Sequence, residues 1–129
     1  MTLASCGVRP TPVLTGAEAP MVSSHELTVY LLTASRNELV RRTRSYSGTV
    51  DTATSINLLV AGLTEEEKKL GLVTEVPATS SRVFAVSNLI VLPEDMGPLS
   101  KWAQYQLYCT AIVSRAKVEG VPASGIECP

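Results

Sequence analysis

The 129-residue chain has one histidine, three cysteines and aromatic residues at only 5%. It also lacks any excess of charge: 11 Lys and Arg against 12 Asp and Glu leave a net charge of −1. Each scarcity excludes something. With His25 as the sole imidazole, a protein zinc site would have to draw on scattered carboxylates and thiols, so no metal is expected. Cys6, Cys109 and Cys128 are odd in number and widely spaced, and show neither a disulfide framework nor a zinc-ligand spacing. Cys109 reads as a small buried hydrophobe. Cys6 and Cys128, near the termini, read as inert thiols, with intersubunit disulfides as the other reading. Balanced charge excludes a globally basic nucleic-acid binder but leaves room for a local basic patch, and it suits a protein that associates with its own copies. The longest apolar run, 89–92, is far too short to span a bilayer, so no membrane partner is expected. Leu3-Ala4-Ser5-Cys6 has the form of a lipoprotein cleavage box. Only two residues precede it, with no charged or apolar leader, so the match is rejected and the cytoplasm is the default compartment.

What is present is enough for one packed domain over 1–129, with 45% hydrophobic and 18% charged residues. Residues 1–24 are punctuated by Pro10, Pro12 and Pro20 and suit a loose N-terminal hairpin or arm. Segment 26–34 is dense in β-branched and aromatic residues and reads as a strand. Ser35-Arg36-Asn37 is a turn, and 39–50 returns as an antiparallel partner. Segment 55–61 is ambiguous between strand and buried helix, and the preceding threonines favour strand. Thr64-Glu65-Glu66-Glu67 before Lys68-Lys69 has the form of a capped helical turn, bounded by Gly71. Segment 81–92, apolar on both faces, reads as a central strand stopped by Pro93. These strands make a sheet over 25–93.

Gly97-Pro98 then opens one long helix in the C-terminal segment 98–129. Trp102, Tyr105, Cys109, Ile112, Val113 and Ala116 recur along it at helical spacing, and Gly120 and Pro122 end it. The fold class is therefore α+β: an antiparallel sheet followed by C-terminal helix. One helix cannot cover five or six strands, so the other sheet face must meet water, a ligand or another subunit.

Catalytic constellations are scarce in the pattern. His25 has no nucleophile motif beside it, Gly48 and Gly62 stand alone, and Glu94-Asp95 occupy a helix-entry turn where acids are favoured anyway. No catalytic residue and no cofactor are assigned, and an enzyme is not expected. The one charge anomaly is Arg36, Arg41, Arg42 and Arg44, interrupted by Glu38. On a strand, alternation puts Arg42, Arg44 and Tyr46 on one face and Arg41, Thr43 and Ser45 on the other. Thr28 and Tyr30 share a face of the neighbouring strand. Arginines with tyrosines offer phosphate pairing and stacking for unpaired bases. Arginines that keep an edge strand from aggregating are the plainer alternative.

This layout resembles the coat proteins of single-stranded RNA bacteriophages of the levivirus type. The likeness lies in order and texture: 27–34, the Ser35-Arg36-Asn37 turn, the basic strand 39–50, the strand 82–92 and the helix from Pro98. The charged 64–69 segment and a weak third strand depart from the family pattern. The resemblance implies an intertwined homodimer that interlocks helices through Trp102, Tyr105, Cys109, Ile112 and Val113. It implies assembly into an icosahedral shell in the bacterial cytoplasm, a virion location, and binding of single-stranded RNA on the inner face. In several members an RNA hairpin bound there represses translation. Carried over, Arg42, Arg44 and Tyr46 are the first RNA candidates, with Arg41 if the register differs by one. Thr28, Tyr30 and Ser87 would complete the surface. The other readings are a small α+β homo-oligomeric enzyme or binding protein for an anionic small molecule, and an RNA-binding regulator that stops at the dimer.

Overall fold

The computed structural model describes residues 24–79, 81–122 and 125–129. The expected N-terminal hairpin of 1–24 lies, but for Ser24, outside them. The chain runs β1 (Ser24–Leu32), β2 (Leu39–Ser47), α1 (Thr54–Val60), α2 (Glu65–Lys69), β3 (Phe84–Val86), β4 (Leu89–Val91), a 3₁₀ turn at Glu94–Met96, α3 (Lys101–Val113) and β5 (Lys117–Val118). The class is α+β, with two small sheets: β1-β2, and β3-β4-β5. The helices are not segregated at the C-terminus, because α1 and α2 interrupt the strands. The pair β4-β5 is parallel.

The β1-β2 hairpin forms as expected, antiparallel and in continuous register from Ser24↔Ser47 to Leu32↔Leu39. Segment 55–61 does not become a strand. One turn earlier, the Asp51 carboxylate accepts from the Ala53 N–H and the Thr54 hydroxyl, while Thr54 Oγ1 accepts from the Asp51 N–H. This reciprocal bonding turns the chain into α1, whose Ile56, Leu59 and Val60 are buried at i, i+3 and i+4. Helix α2 carries the expected capping box: Thr64 Oγ1 accepts from Glu67 N–H, and the Glu67 carboxylate accepts from Thr64 N–H.

The expected central strand 81–92 is instead a short hairpin. Ser87 adopts φ +57° and reverses the chain with Asn88, so that Phe84 faces Val91 and Val86 faces Leu89. Phe84 and Val86 point to solvent, and only Val83, Ala85, Ile90 and their neighbours turn inward. Asn57 fastens this hairpin to α1: its Nδ2 donates to Val83 O at 2.8 Å and its Oδ1 accepts from Val83 N–H at 3.0 Å.

Helix α3 begins at Lys101, not at Pro98, because Ser100 is the N-cap and its hydroxyl accepts from Ala103 N–H. It ends at Val113, well before Gly120. Arg115 takes the left-handed conformation at φ +58°, its N–H donates to Ile112 O, and the Ala116 N–H donates to Ala111 O. Those two bonds close the helix with a residue other than glycine. The buried face is Ala103, Gln106, Leu107, Cys109, Thr110 and Ala111, so Cys109 is buried as expected, while Ile112 and Val113 are exposed. Of the anticipated stripe, Cys109 and Ala116 are buried, Trp102 and Tyr105 are half-buried, and Ile112 and Val113 face outward, so the buried face is turned toward Gln106 and Thr110.

Strand β1 is the centre of the molecule, buried from Thr28 to Leu32. One edge pairs with β2. The other edge is satisfied by side chains of α3: Thr110 Oγ1 accepts from Tyr30 N–H at 3.0 Å, and Gln106 Nε2 donates to Tyr30 O at 2.9 Å. Leu32 and Val73 complete that edge with a reciprocal backbone pair at 2.9 Å. A helix thus stands where a third strand would otherwise be needed, and no backbone donor of Tyr30 is stranded in the core. The premise of an uncovered five- or six-stranded sheet lapses, and with it the reason for an interlocked second subunit.

Candidate functional site

The register divides the expected RNA surface between two faces. Opposed residues in an antiparallel pair share a face, so Tyr30 goes with Arg41 and Thr28 with Thr43, whereas Val29 goes with Arg42, Leu27 with Arg44 and His25 with Tyr46. Thr28 and Tyr30 are buried, Tyr30 at 1% exposure, so that ring is closed to a stacking base. Its hydroxyl accepts from Arg41 Nη1 and donates to Pro129 O. Ser87 lies in the β3-β4 turn, in the other sheet.

Arg44 is engaged in full. Its Nε and Nη2 donate to the two Glu67 carboxylate oxygens at 2.9 and 2.7 Å, and Nη1 and Nη2 donate to Leu58 O and Gly62 O at the end of α1. Burial of Glu67 pushes its carboxyl pKa up, but the Arg44 hydrogen bonds, the Thr64 N–H and the charges of Arg44 and Arg42 outweigh that, and the net shift is downward. Arg42 lies 3.7 Å from the exposed Glu66, with its Nε buried and unpaired. The hollow of about 410 Å³ around these groups therefore holds two arginines balanced by two glutamates. It offers an anion no net positive charge.

A second cleft, of about 380 Å³, is built from three separate parts of the chain. The β1-β2 turn supplies Asn37, Glu38 and Leu39. This turn is held by Thr33 and Ser35 hydroxyls on Asn37 Oδ1 at 3.2 and 2.8 Å, with Arg36 at φ +58°. Helix α3 supplies Trp102 and Tyr105, three residues apart and so neighbours on one face, with ring centroids 5.1 Å apart edge to face. Lys101 Nζ lies 5.7 Å from the Tyr105 centroid. The tail, 125–129, forms the third wall. It is tied to α3 by a Cys109–Cys128 disulfide and to β1 by the Tyr30 hydroxyl on Pro129 O at 2.8 Å.

The disulfide corrects the reading of Cys109 and Cys128 as unpaired thiols; Cys6 lies outside the described residues. Trp102, Tyr105 and Cys109, expected on a subunit-locking face, line or support this cleft. Glu38, Ile126 and Glu127 were missed, since nothing local brings a turn and a tail together. The signal available was a pair of cysteines 19 residues apart flanking the turn-forming Gly120 and Gly125. Among the described residues no group of three His, Cys, Asp or Glu is placed to hold a metal, and no helix is long and apolar enough to cross a membrane.

No family model matches the chain, and no curated protein matches it. Among solved structures it is similar to the tandem GerMN domains of the sporulation protein GerM from Bacillus subtilis, at 18% identity and a TM-score of 0.48. The match covers 87% of this chain and 44% of that one. With helices between the strands, two small sheets and a split arginine surface, the phage coat-protein resemblance is withdrawn. The capsid function and the virion location inferred from it go too. The anionic-ligand alternative has no support either, since the charges of Arg42 and Arg44 are balanced within the chain.

Proposed function

We propose that this chain is a non-catalytic recognition domain that works in an oxidising compartment and binds its ligand in the Trp102–Tyr105 cleft. The observation that carries the reading is the Cys109–Cys128 bond, which fixes the tail as one wall of the cleft. Disulfides persist where thiols are not kept reduced, which argues against the cytosol as the working site. The non-catalytic part is supported by how the polar side chains are used. The most deeply buried ones, Glu67, Gln106 and Thr110, each complete a structural hydrogen-bond network, and the lowered carboxyl pKa of Glu67 suits a structural carboxylate that stays ionised at neutral pH. Half-buried aromatic rings beside polar rim groups are the usual furniture of a recognition cleft.

Peptide mapping without reductant tests this reading. The expected result is a linked pair of peptides carrying Cys109 and Cys128 from protein isolated under thiol-blocking conditions. Rapid alkylation of both thiols in the native protein would overturn it.

A further inference from the structure

We infer that the cleft takes a cationic ligand, an alkylammonium or guanidinium group carried by a basic peptide segment or a free polyamine. The inference rests on the cleft being a recognition site, and it adds the chemistry of what is recognised. Every charged residue that lines the cleft is acidic: Glu38 on the β2 side and Glu127 on the tail, with no Lys, Arg or His in the lining. Elsewhere in the described structure Asp51, Glu65, Glu66 and Glu67 each lie against a basic side chain, while Glu26, Glu75, Glu94, Asp95 and Glu119 have no ion-pair partner, so what distinguishes Glu38 and Glu127 is their place on the cleft lining. Glu38 and Glu127 are both exposed at the rim, and neither has an ion-pair partner among the described residues. An incoming cation would supply the missing charge.

The aromatic wall has the same preference. The negative π-face of an indole or phenol attracts a cation within about 6 Å of its centroid. Lys101 Nζ stands 5.7 Å from the Tyr105 ring, so this wall already holds one ammonium group from within the chain. The remaining walls, Leu39 and Ile126, are apolar. They suit the methylene stem of a lysine, arginine or polyamine, which packs its carbons while the charged end meets the carboxylates. A neutral saccharide would use the rings but would gain nothing from two unopposed negative charges. The disulfide makes the arrangement depend on the tail, since Ile126 and Glu127 both precede Cys128 on it.

Trp102 is the single tryptophan of the chain, so its fluorescence reports on this cleft alone. The full oxidised protein is titrated with spermidine, with a hexalysine peptide and with chitobiose as a neutral sugar. A saturable change with the two cations and none with the sugar is expected. It should weaken about tenfold in the Glu38→Gln/Glu127→Gln double variant and weaken in about 0.5 M salt. Both glutamates are exposed, so far-UV circular dichroism of the variant should match the parent. Tighter binding of the peptide assigns the cation to a protein partner, and parity assigns it to a free polyamine. Saturation by chitobiose with no response to cations overturns the cationic class and leaves the recognition cleft standing. Silence of Trp102 toward all three, or unchanged cation binding in the double variant, overturns the inference, and silence toward all three also removes the support for the cleft itself.

Discussion

Arg44 and Glu67 form a bidentate pair, Nε to Oε2 at 2.9 Å and Nη2 to Oε1 at 2.7 Å, with Glu67 2% exposed and Arg44 10%. The same guanidinium caps the last carbonyls of α1, and the same carboxylate closes the capping box of α2. One ion pair therefore ties the end of one helix, the start of the next and the face of β2 together. The pair is buried among its own hydrogen-bond partners, which is the circumstance in which removing one member is most costly.

Glu67→Gln is expected to destabilise the fold by about 3 kcal/mol at neutral pH, because it leaves the guanidinium without its counter-charge. The pH dependence follows from the lowered carboxyl pKa. Since the folded state holds the proton less readily than the unfolded chain, the contribution is complete above the ordinary value of 4.5 and is lost as pH falls through the depressed one. Urea unfolding between neutral pH and about pH 3 should show a steeper acid loss in the parent than in Glu67→Gln. Equal acid slopes would remove the pair from this role.

The edge of β1 gives a second expectation. Thr110→Val keeps the shape of the side chain but leaves the buried Tyr30 N–H without an acceptor, at a cost of about 2 kcal/mol. Gln106→Leu strands Tyr30 O and the Glu75 N–H together, leaves the Thr74 hydroxyl only its bond from the Val76 N–H, and should cost about 3 kcal/mol. Midpoint shifts in urea at constant slope would measure both. Hydrogen exchange at the Tyr30 amide should accelerate in Thr110→Val beyond what the global loss explains.

Opening the disulfide should act on stability and on the cleft at once. The bond closes a segment of 19 residues in sequence separation, and chain-entropy reasoning gives it about 3 kcal/mol. Cys128→Ser should lower the unfolding midpoint accordingly and shift Trp102 emission toward that of a more hydrated indole. A variant that keeps both the midpoint and the emission of the parent would show that the tail is held by other contacts.

What the sequence alone determined is local. The β1-β2 hairpin was legible because β-branched density on both sides of Ser35-Arg36-Asn37 is a property of neighbouring residues. The α2 capping box was legible because Thr64 and Glu67 close it within a single turn. Segment 55–61 sits at the margin: Ile56, Leu59 and Val60 fit a helix, but the decisive Asp51–Thr54 bonding lies just outside the apolar run. Segment 81–92 failed for a related reason, since Ser87 at φ +57° carries no glycine to announce the turn.

Tertiary structure decided the rest. Arg42 and Arg44 read as a free basic surface because sequence shows charge but not its partner, and Glu66 and Glu67 arrive only when α2 folds back across β2. The buried face of α3 is turned because Gln106 and Thr110, polar by composition, are needed inside to satisfy a strand edge that only the packed sheet exposes. The cleft draws on a turn, a helix and a tail that no short window contains. A polar side chain's place depends on which unsatisfied group lies opposite it, and that is fixed by the assembled fold.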